Sequence, residues 1–191
     1  MSRKKLRIIL DPGHGGRDPG TVWDDYREKD AVLLFVEDLK PRLDDHASVC
    51  FTRAEDKYVT LKNRCIAANG YHSDVFLSVH LNAIPKVQRD AGVEAVGMEI
   101  WTFEGSFESR RIGEEILYTV GGGFKGYKIR GIRETNKLHV LKGTSMPACL
   151  IELGFIDSLH DRTLLQNRAS RDRLVQLVAE GVLRATEHLG T

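Results

Sequence analysis

One stretch near the start of the chain constrains its fold more than any other. The short apolar run Arg7–Leu10 predicts a buried β-strand. The run stops at Asp11-Pro12-Gly13, a turn signal, because proline fixes φ and glycine permits a positive φ. His14 follows between glycines, just past the C-terminal end of this strand, and ligands bind at that edge of open α/β sheets. His14 is therefore a candidate site residue, with a histidine in a surface turn as the alternative.

Apolar strand-like segments alternate with helical patterns along the rest of the chain. Strands are predicted at Arg7–Leu10, Ser48–Thr52, Val75–Val79, Gly97–Thr102 and Ala148–Glu152, with a shorter one around His139–Leu141. Helices are predicted at Lys29–Leu43, at Thr60–Asn69 with Thr60 as the N-cap, at Ser106–Val120 and near Ser170–Leu189. The polar stretch from Phe124 to Lys137 shows little periodicity and predicts a long loop over the site. Strands that alternate with helices predict an α/β fold.

The composition excludes several classes of protein. The chain has 191 residues, a net charge of +1 and 41% hydrophobic residues, which is ordinary for a globular domain and gives no basic field for nucleic acid. No apolar run approaches the ~20 residues of a membrane span. The apolar run after the basic segment Met1–Lys5 is too short for a signal peptide. Cys50, Cys65 and Cys149 form no CxxC pair and are predicted to be small core residues.

Two further residues are predicted to share the sheet edge that carries His14. The apolar strand Val75–Val79 ends at His80, and Glu28 lies at the start of the first predicted helix. If the strands are parallel neighbours, two imidazoles and one carboxylate meet at that edge. Two histidines and one glutamate, with a fourth position open, describe a catalytic zinc site. The alternatives are a hydrogen-bonded core histidine and a glutamate that complements the helix dipole.

Two other polar residues near strand ends are candidates for chemistry. Glu152 ends a wholly apolar strand, where burial of a carboxylate without a partner is costly. Beside a metal site it would act as a general base, with its pKa raised by the apolar setting. The alternative is a structural ion pair with an arginine such as Arg53 or Arg64. Asn82, two residues after His80, is a candidate for binding substrate or orienting a ligand, and a turn residue is the alternative.

Five segments occur in a family-like order and spacing along the chain. They are Ile9–Gly16, Glu28–Asp30, Thr52–Asn69, Ser78–Ala83 and Ile151–Ile156. Together they resemble the zinc-dependent N-acetylmuramoyl-L-alanine amidases of the amidase_3 type. The resemblance implies that His14, Glu28 and His80 bind one Zn²⁺ ion and that Glu152 is the catalytic glutamate. It also implies a single α/β domain over residues 1–191, with a mixed, mostly parallel central sheet of about six strands flanked by helices.

The resemblance further implies the reaction and its setting. The expected reaction is hydrolysis of the peptidoglycan amide between N-acetylmuramic acid and L-alanine of the stem peptide, by zinc-activated water with Glu152 as the base. Peptidoglycan is the expected partner, and we expect a monomer. The expected place of action is the cell wall, after lysis releases a cytoplasmic protein or as an excised domain of a secreted enzyme. A zinc peptidase that acts within wall peptides and a catalytically silent wall-binding module stay open as alternatives.

Overall fold

The computed structural model describes residues 5–190 of the chain, so residues 1–4 of the basic N-terminal segment and residue 191 lie outside the described part. The strands are β1 (Leu6–Pro12), β2 (Val22–Trp23), β3 (Tyr26–Arg27), β4 (Ala47–Phe51), β5 (Val75–Asn82), β6 (Met98–Phe103), β7 (Ile129–Thr135) and β8 (Ala148–Phe155). The helices are α1 (Glu28–Asp44), α2 (Leu61–Gly70), α3 (Lys86–Asp90), α4 (Phe107–Gly123), α5 (His139–Lys142), α6 (Leu159–Gln166) and α7 (Arg168–Thr186), followed by a 3₁₀ turn at Glu187–Gly190.

The central sheet has six strands in the order β4-β1-β5-β8-β6-β7. The first four run parallel to one another, β6 is antiparallel to β8, and β7 is parallel to β6. A separate hairpin of β2 and β3 leads into α1. This mixed, mostly parallel sheet in a single domain confirms the predicted fold class.

The central strands have continuous apolar runs because helices cover both faces of the sheet. Ile8 and Leu10 of β1 join a larger core with α1, α4 and α7, whereas Ile9 joins a smaller core with α2 and α5. Side chains alternate along a strand, and the residues on either side of His80 and Glu152 belong to the larger core. His80 and Glu152 therefore both lie on the face of the smaller core.

A buried ion pair ties three strands together beneath the loop that carries His14. Asp11 at the end of β1 is fully buried, and Nη1 of Arg64 from α2 donates to its Oδ1 at 2.6 Å. The hydroxyl of Thr52 donates to the same oxygen at 2.5 Å, and that of Ser78 in β5 donates to Oδ2 at 2.7 Å. Because three hydrogen bonds satisfy this carboxylate, it aligns the ends of β1, β4 and β5.

Two predictions for the chain between β6 and β8 are wrong. The stretch Phe124–Lys137 is not a long loop, because it contains β7, an edge strand paired with β6. Edge strands carry charged side chains and so lack the apolar periodicity of a buried strand. His139–Leu141 forms the short helix α5 instead of a strand. Val140 and Leu141 both pack with Cys65 in the smaller core, whereas a strand would turn one of the two away.

The other predicted elements form, with shifts at their ends. Helix α1 begins at Glu28, one residue before the predicted start, and Thr60 caps α2 by accepting a hydrogen bond from the backbone N–H of Asn63 at 3.1 Å. The last helix begins at Arg168 instead of Ser170. The hairpin of β2 and β3 and helices α3 and α6 had no clear sequence signal.

The three cysteines are free thiols, as predicted. Cys65 and Cys149 are buried, and Cys50 is half-buried. Burial raises the pKa of the Cys149 thiol to about 12, so it is not a ready nucleophile. In the part of the chain that the structure describes, every helix is too short or too polar to cross a bilayer.

Candidate active site

The loop after β1 brings His14 against His80 through a glycine. His14 has a φ of 59°, and a Cβ added at Gly13 would lie 2.2 Å from Cε1 of His80. A residue with a side chain at position 13 would therefore push the second imidazole away. With glycine there, the two rings lie 5.0 Å apart between centroids, at an angle of 80°.

Two buried arginines hold this loop by its carbonyl oxygens. Nη2 of Arg53 donates to the carbonyl of Gly13 at 2.7 Å, and Nη2 of Arg64 donates to the carbonyl of His14 at 2.5 Å. Backbone carbonyls and the carboxylate of Asp11 accept the other hydrogen bonds of the two guanidinium groups. The structural ion pair between Glu152 and Arg53 or Arg64, the alternative considered from the sequence, does not form.

Glu28 brings the two histidines together. Its buried Oε1 lies 3.1 Å from Nε2 of His14 and 3.0 Å from Nδ1 of His80. The same oxygen accepts the backbone N–H of Leu81 at 3.1 Å, and Oε2 accepts that of Thr21 at 2.9 Å. One ligand atom from each of the three predicted residues thus lies within 4.8 Å of the others, a spacing that can hold a metal ion.

Asp18 orients the first histidine of this cluster. Its Oδ2 lies 3.0 Å from Nδ1 of His14, so that Nε2 faces Glu28. A carboxylate on the far nitrogen of a ligand histidine is the usual outer partner in metal sites. The sequence analysis missed Asp18, for which the only available signal was its position four residues after His14 in a glycine-rich loop.

The charges of the cluster favour an ionised Glu28 carboxylate beside a protonated His14 imidazole when no metal is bound. Burial lowers the pKa of His14, but the hydrogen bonds and charges of Glu28 and Asp18 outweigh it and raise that pKa above its ordinary value. Burial also opposes ionisation of Glu28, yet the hydrogen bonds and charges of His14 and His80 bring its pKa well below the usual range. Because a metal binds only neutral imidazole, metal binding at this cluster would release protons.

Glu152 lies beside the cluster on the neighbouring strand. The register of β5 and β8 places it directly opposite His80. Burial raises the pKa of Glu152 to about 7; the positive charge of His80 opposes this rise, and the negative charges of Glu28 and Glu99 add to it. Its Oε2 is buried and has no hydrogen-bond partner among residues 5–190. Such a carboxyl group can take up and release a proton near neutral pH.

Asn82 lies at the same end of the sheet, with its amide engaged by the protein. Its Nδ2 donates to Oε1 of Glu99 at 3.0 Å, and its Oδ1 accepts the backbone N–H of Ala83 at 2.8 Å. Glu99 stands directly opposite Glu152 on the antiparallel strand β6. The sequence analysis missed Glu99, because one acid within the predicted strand Gly97–Thr102 gives no signal of its partners.

Comparison with known proteins identifies the family to which the chain belongs. Residues 8–184 match the Amidase_3 family, described as N-acetylmuramoyl-L-alanine amidase. The sporulation-specific N-acetylmuramoyl-L-alanine amidase of Bacillus subtilis is 32% identical over 184 residues, which cover 94% of this chain and 68% of that protein. The endolysin of Bacillus phage SPP1 is 34% identical over 180 residues, which cover 91% of this chain and 62% of that protein.

Solved structures show the same architecture. An N-acetylmuramoyl-L-alanine amidase of Clostridium difficile 630 has a TM-score of 0.88 at 32% identity, over 96% of this chain and 97% of that one. The amidase AmiC2 of Nostoc punctiforme has a TM-score of 0.87 at 26% identity, over 97% of this chain and 99% of that one. These matches confirm the predicted fold and the family resemblance.

Proposed function

Because the chain belongs to the N-acetylmuramoyl-L-alanine amidase family, we propose that it hydrolyses the amide between N-acetylmuramic acid and L-alanine of peptidoglycan, with zinc and a glutamate base. We propose further that residues 1–191 form one catalytic domain that acts on the cell wall as a monomer. The observation that carries the proposal is the position of Glu152, whose strand sets it opposite a histidine of the His–Glu–His cluster.

The donor set fits one zinc ion per chain. His14, Glu28 and His80 offer two imidazole nitrogens and one carboxylate oxygen, a ligand set of catalytic zinc sites that keep a fourth position open. Asp18 supports the fit, since it holds the imidazole of His14 in the orientation a metal requires. A bound zinc ion supplies Lewis acidity, which polarises an amide carbonyl and lowers the pKa of water towards ~7.

Glu152 performs the proton transfers. It accepts a proton from the attacking water at a carboxylate oxygen, as the water oxygen bonds to the lactyl carbonyl carbon. It then donates that proton to the nitrogen of L-alanine while the carbon–nitrogen bond breaks. The products are the free lactyl carboxylate and the free amine of the stem peptide. A pKa of about 7 suits both halves of this task, because the group must act first as a base and then as an acid.

Asn82 contributes a substrate contact at the edge of the site. One of its amide hydrogens is used by Glu99, and the orientation that this bond imposes leaves the second for a carbonyl of the substrate. Asn82→Ala is expected to raise KM more than it lowers kcat, because it removes a binding contact and leaves Glu152 in place. An unchanged KM would contradict this role.

The first experiment is to measure the metal content of the purified chain and the release of muropeptides before and after chelation. We expect one zinc per chain, loss of activity on chelation and recovery on adding zinc. Mass analysis of the products identifies the bond that is cut. His80→Ala is expected to lose both zinc and activity. The exposed His46→Ala serves as the matched control and should lose neither.

Each alternative gives a different outcome in this experiment. Products cut within the peptide would indicate a zinc peptidase and contradict the amidase proposal. Bound zinc without cleavage of any wall preparation would indicate a wall-binding module. A metal-free preparation that still cleaves the wall would overturn the zinc mechanism.

A further inference from the structure

An irregularity in the edge strand β7 places Arg130 beside Glu99, the residue opposite Glu152 in the sheet. The pairing of β6 with β7 shifts between Met98, which faces Ile129, and Glu99, which faces Gly131. Arg130 is therefore an extra residue in its strand. β-Bulges of this kind redirect side chains and are common next to active sites. Gly131 has a φ of 102°, a conformation that favours glycine and makes the bulge possible.

Two contacts hold the guanidinium group of Arg130 in one orientation. Its Nε donates to Oε2 of Glu99 at 2.8 Å, and its central carbon lies 4.9 Å from the ring centroid of Phe155. The other oxygen of Glu99 accepts from Asn82 and, at 3.2 Å, from Nε1 of Trp101. Both oxygens of Glu99 thus accept hydrogen bonds. Among residues 5–190, the two terminal nitrogens of Arg130 donate no hydrogen bond, and the side chain of Arg130 is 24% exposed.

The positive charge at this edge exceeds the negative charge of Glu99, which favours binding of an anion. Within the described residues, Glu99 is the one carboxylate with which Arg130 pairs, and Nε of Arg133 also lies 3.8 Å from that carboxylate. Two guanidinium groups therefore share a single negative charge. A planar, oriented guanidinium with free N–H groups is well suited to bind a carboxylate.

We propose that Arg130 selects the substrate by binding the free α-carboxylate of the second stem-peptide residue, a γ-linked D-glutamate; this rests on the proposed amidase function. The scissile nitrogen, served by Glu152, belongs to the first residue, L-alanine. One residue of extended chain spans about 3.5 Å. Directly opposed residues such as Glu152 and Glu99 have Cβ atoms about 4.5–5.5 Å apart. A stem peptide that extends from Glu152 across β6 thus presents its second residue to Arg130.

The test uses two soluble, glycan-linked stem peptides that differ only at the second residue, which carries either a free α-carboxylate or the corresponding amide. Release of the stem peptide by the zinc-loaded chain gives kcat/KM for each. We expect the wild type to prefer the carboxylate form by about 10- to 100-fold, the range expected for one charge-assisted contact. Arg130→Gln should slow cleavage of the carboxylate form to the rate of the amide form and leave the amide form nearly unchanged.

Two more variants keep the test decisive. Arg130→Lys retains the positive charge and should retain part of the preference, which a purely structural role would not predict. Arg133→Gln changes a 51% exposed side chain near the same carboxylate and is the matched control; it should keep most of the preference. Thermal melting of each variant checks that it is folded.

Four outcomes would contradict the inference. Equal rates on the two substrates by the wild type, or equal loss on both in folded Arg130→Gln, overturn the selection by Arg130 and leave the amidase proposal standing. Loss of the preference in Arg133→Gln would assign the selection to Arg133 instead of Arg130. Failure of the wild type to cleave either substrate would instead overturn the amidase proposal itself, and the inference with it.

Discussion

Glu152→Gln is expected to make the metal-free protein more stable at pH 8 and to lower the kcat of the zinc-loaded protein strongly. Glutamine has nearly the shape of a protonated glutamic acid and carries no charge at any pH. In the folded wild type, burial raises the pKa of Glu152 from 4.5 to about 7. The folded state therefore resists ionisation of this group, whereas the unfolded chain does not. The substitution removes that penalty.

The size and sign of the effect follow from the two pKa values. Below pH 4.5 the group is protonated in both states and contributes no penalty. As the pH rises from 4.5 to about 7, the unfolded chain releases the proton and the folded chain keeps it, so wild-type stability falls. Above pH 7 the full difference corresponds to about 3 kcal/mol as an upper bound. For a chain of this size that is a gain of about 6–12 °C in Tm for the glutamine variant.

The assay is thermal and urea unfolding of chelated wild type and Glu152→Gln at pH 4.5, 6 and 8. Glu37→Gln makes the same chemical change at an exposed position of α1 and is the matched control. In parallel, Glu152→Gln should bind zinc as the wild type does. Its kcat with zinc bound should be about 10²–10⁴-fold lower than that of the wild type.

Three results would contradict this prediction. If Glu152→Gln were no more stable than the wild type at pH 8, or if its advantage did not shrink at low pH, the carboxyl group would not be held in its protonated form by burial. If the variant kept its activity with unchanged zinc content, Glu152 would not be the base.

Three further substitutions test the parts that position the site. Asp18→Asn should lower zinc affinity about 10- to 100-fold, since it weakens the partner that orients His14, and competition with a chromophoric chelator measures this. Gly13→Ala should displace the imidazole of His80, cost about 1–3 kcal/mol of stability by overpacking and weaken zinc binding in the same titration. Arg64→Met should cost about 3–5 kcal/mol in urea unfolding, because it leaves a buried carboxylate without its counterion.

Each of these substitutions has a control elsewhere in the chain. Asp24→Asn changes an exposed acid in the hairpin turn, Gly122→Ala adds a Cβ where no atom lies within 4 Å, and Arg168→Met replaces an arginine that is 89% exposed. If a control lost as much stability or zinc affinity as the corresponding site variant, the loss would not be specific to the site. Unchanged zinc affinity in Asp18→Asn or Gly13→Ala would contradict the geometry from which these predictions are drawn.

Much of the fold was predictable because buried strands and helices require apolar residues at regular positions in the sequence. The strand before His14 and the strand before His80 are buried on both faces, so each is a mostly apolar run with a polar residue near its end. The edge strand β7 was not predicted, because it carries exposed charged residues and lacks a regular pattern of apolar residues. The segment Val140–Leu141 was too short to distinguish a helical turn from a strand.

The residues that could form the site were recognisable from the sequence, because His14, His80 and Glu152 lie at or just after the ends of apolar strands and Glu28 lies at the start of a helix. Which charges pair depends on the tertiary structure. Arg53 and Arg64 bind loop carbonyls and form no ion pair with Glu152. A local sequence pattern cannot predict this pairing. Such pairing depends on the distances between groups that are far apart in the sequence. The packing of the strands and helices sets these distances.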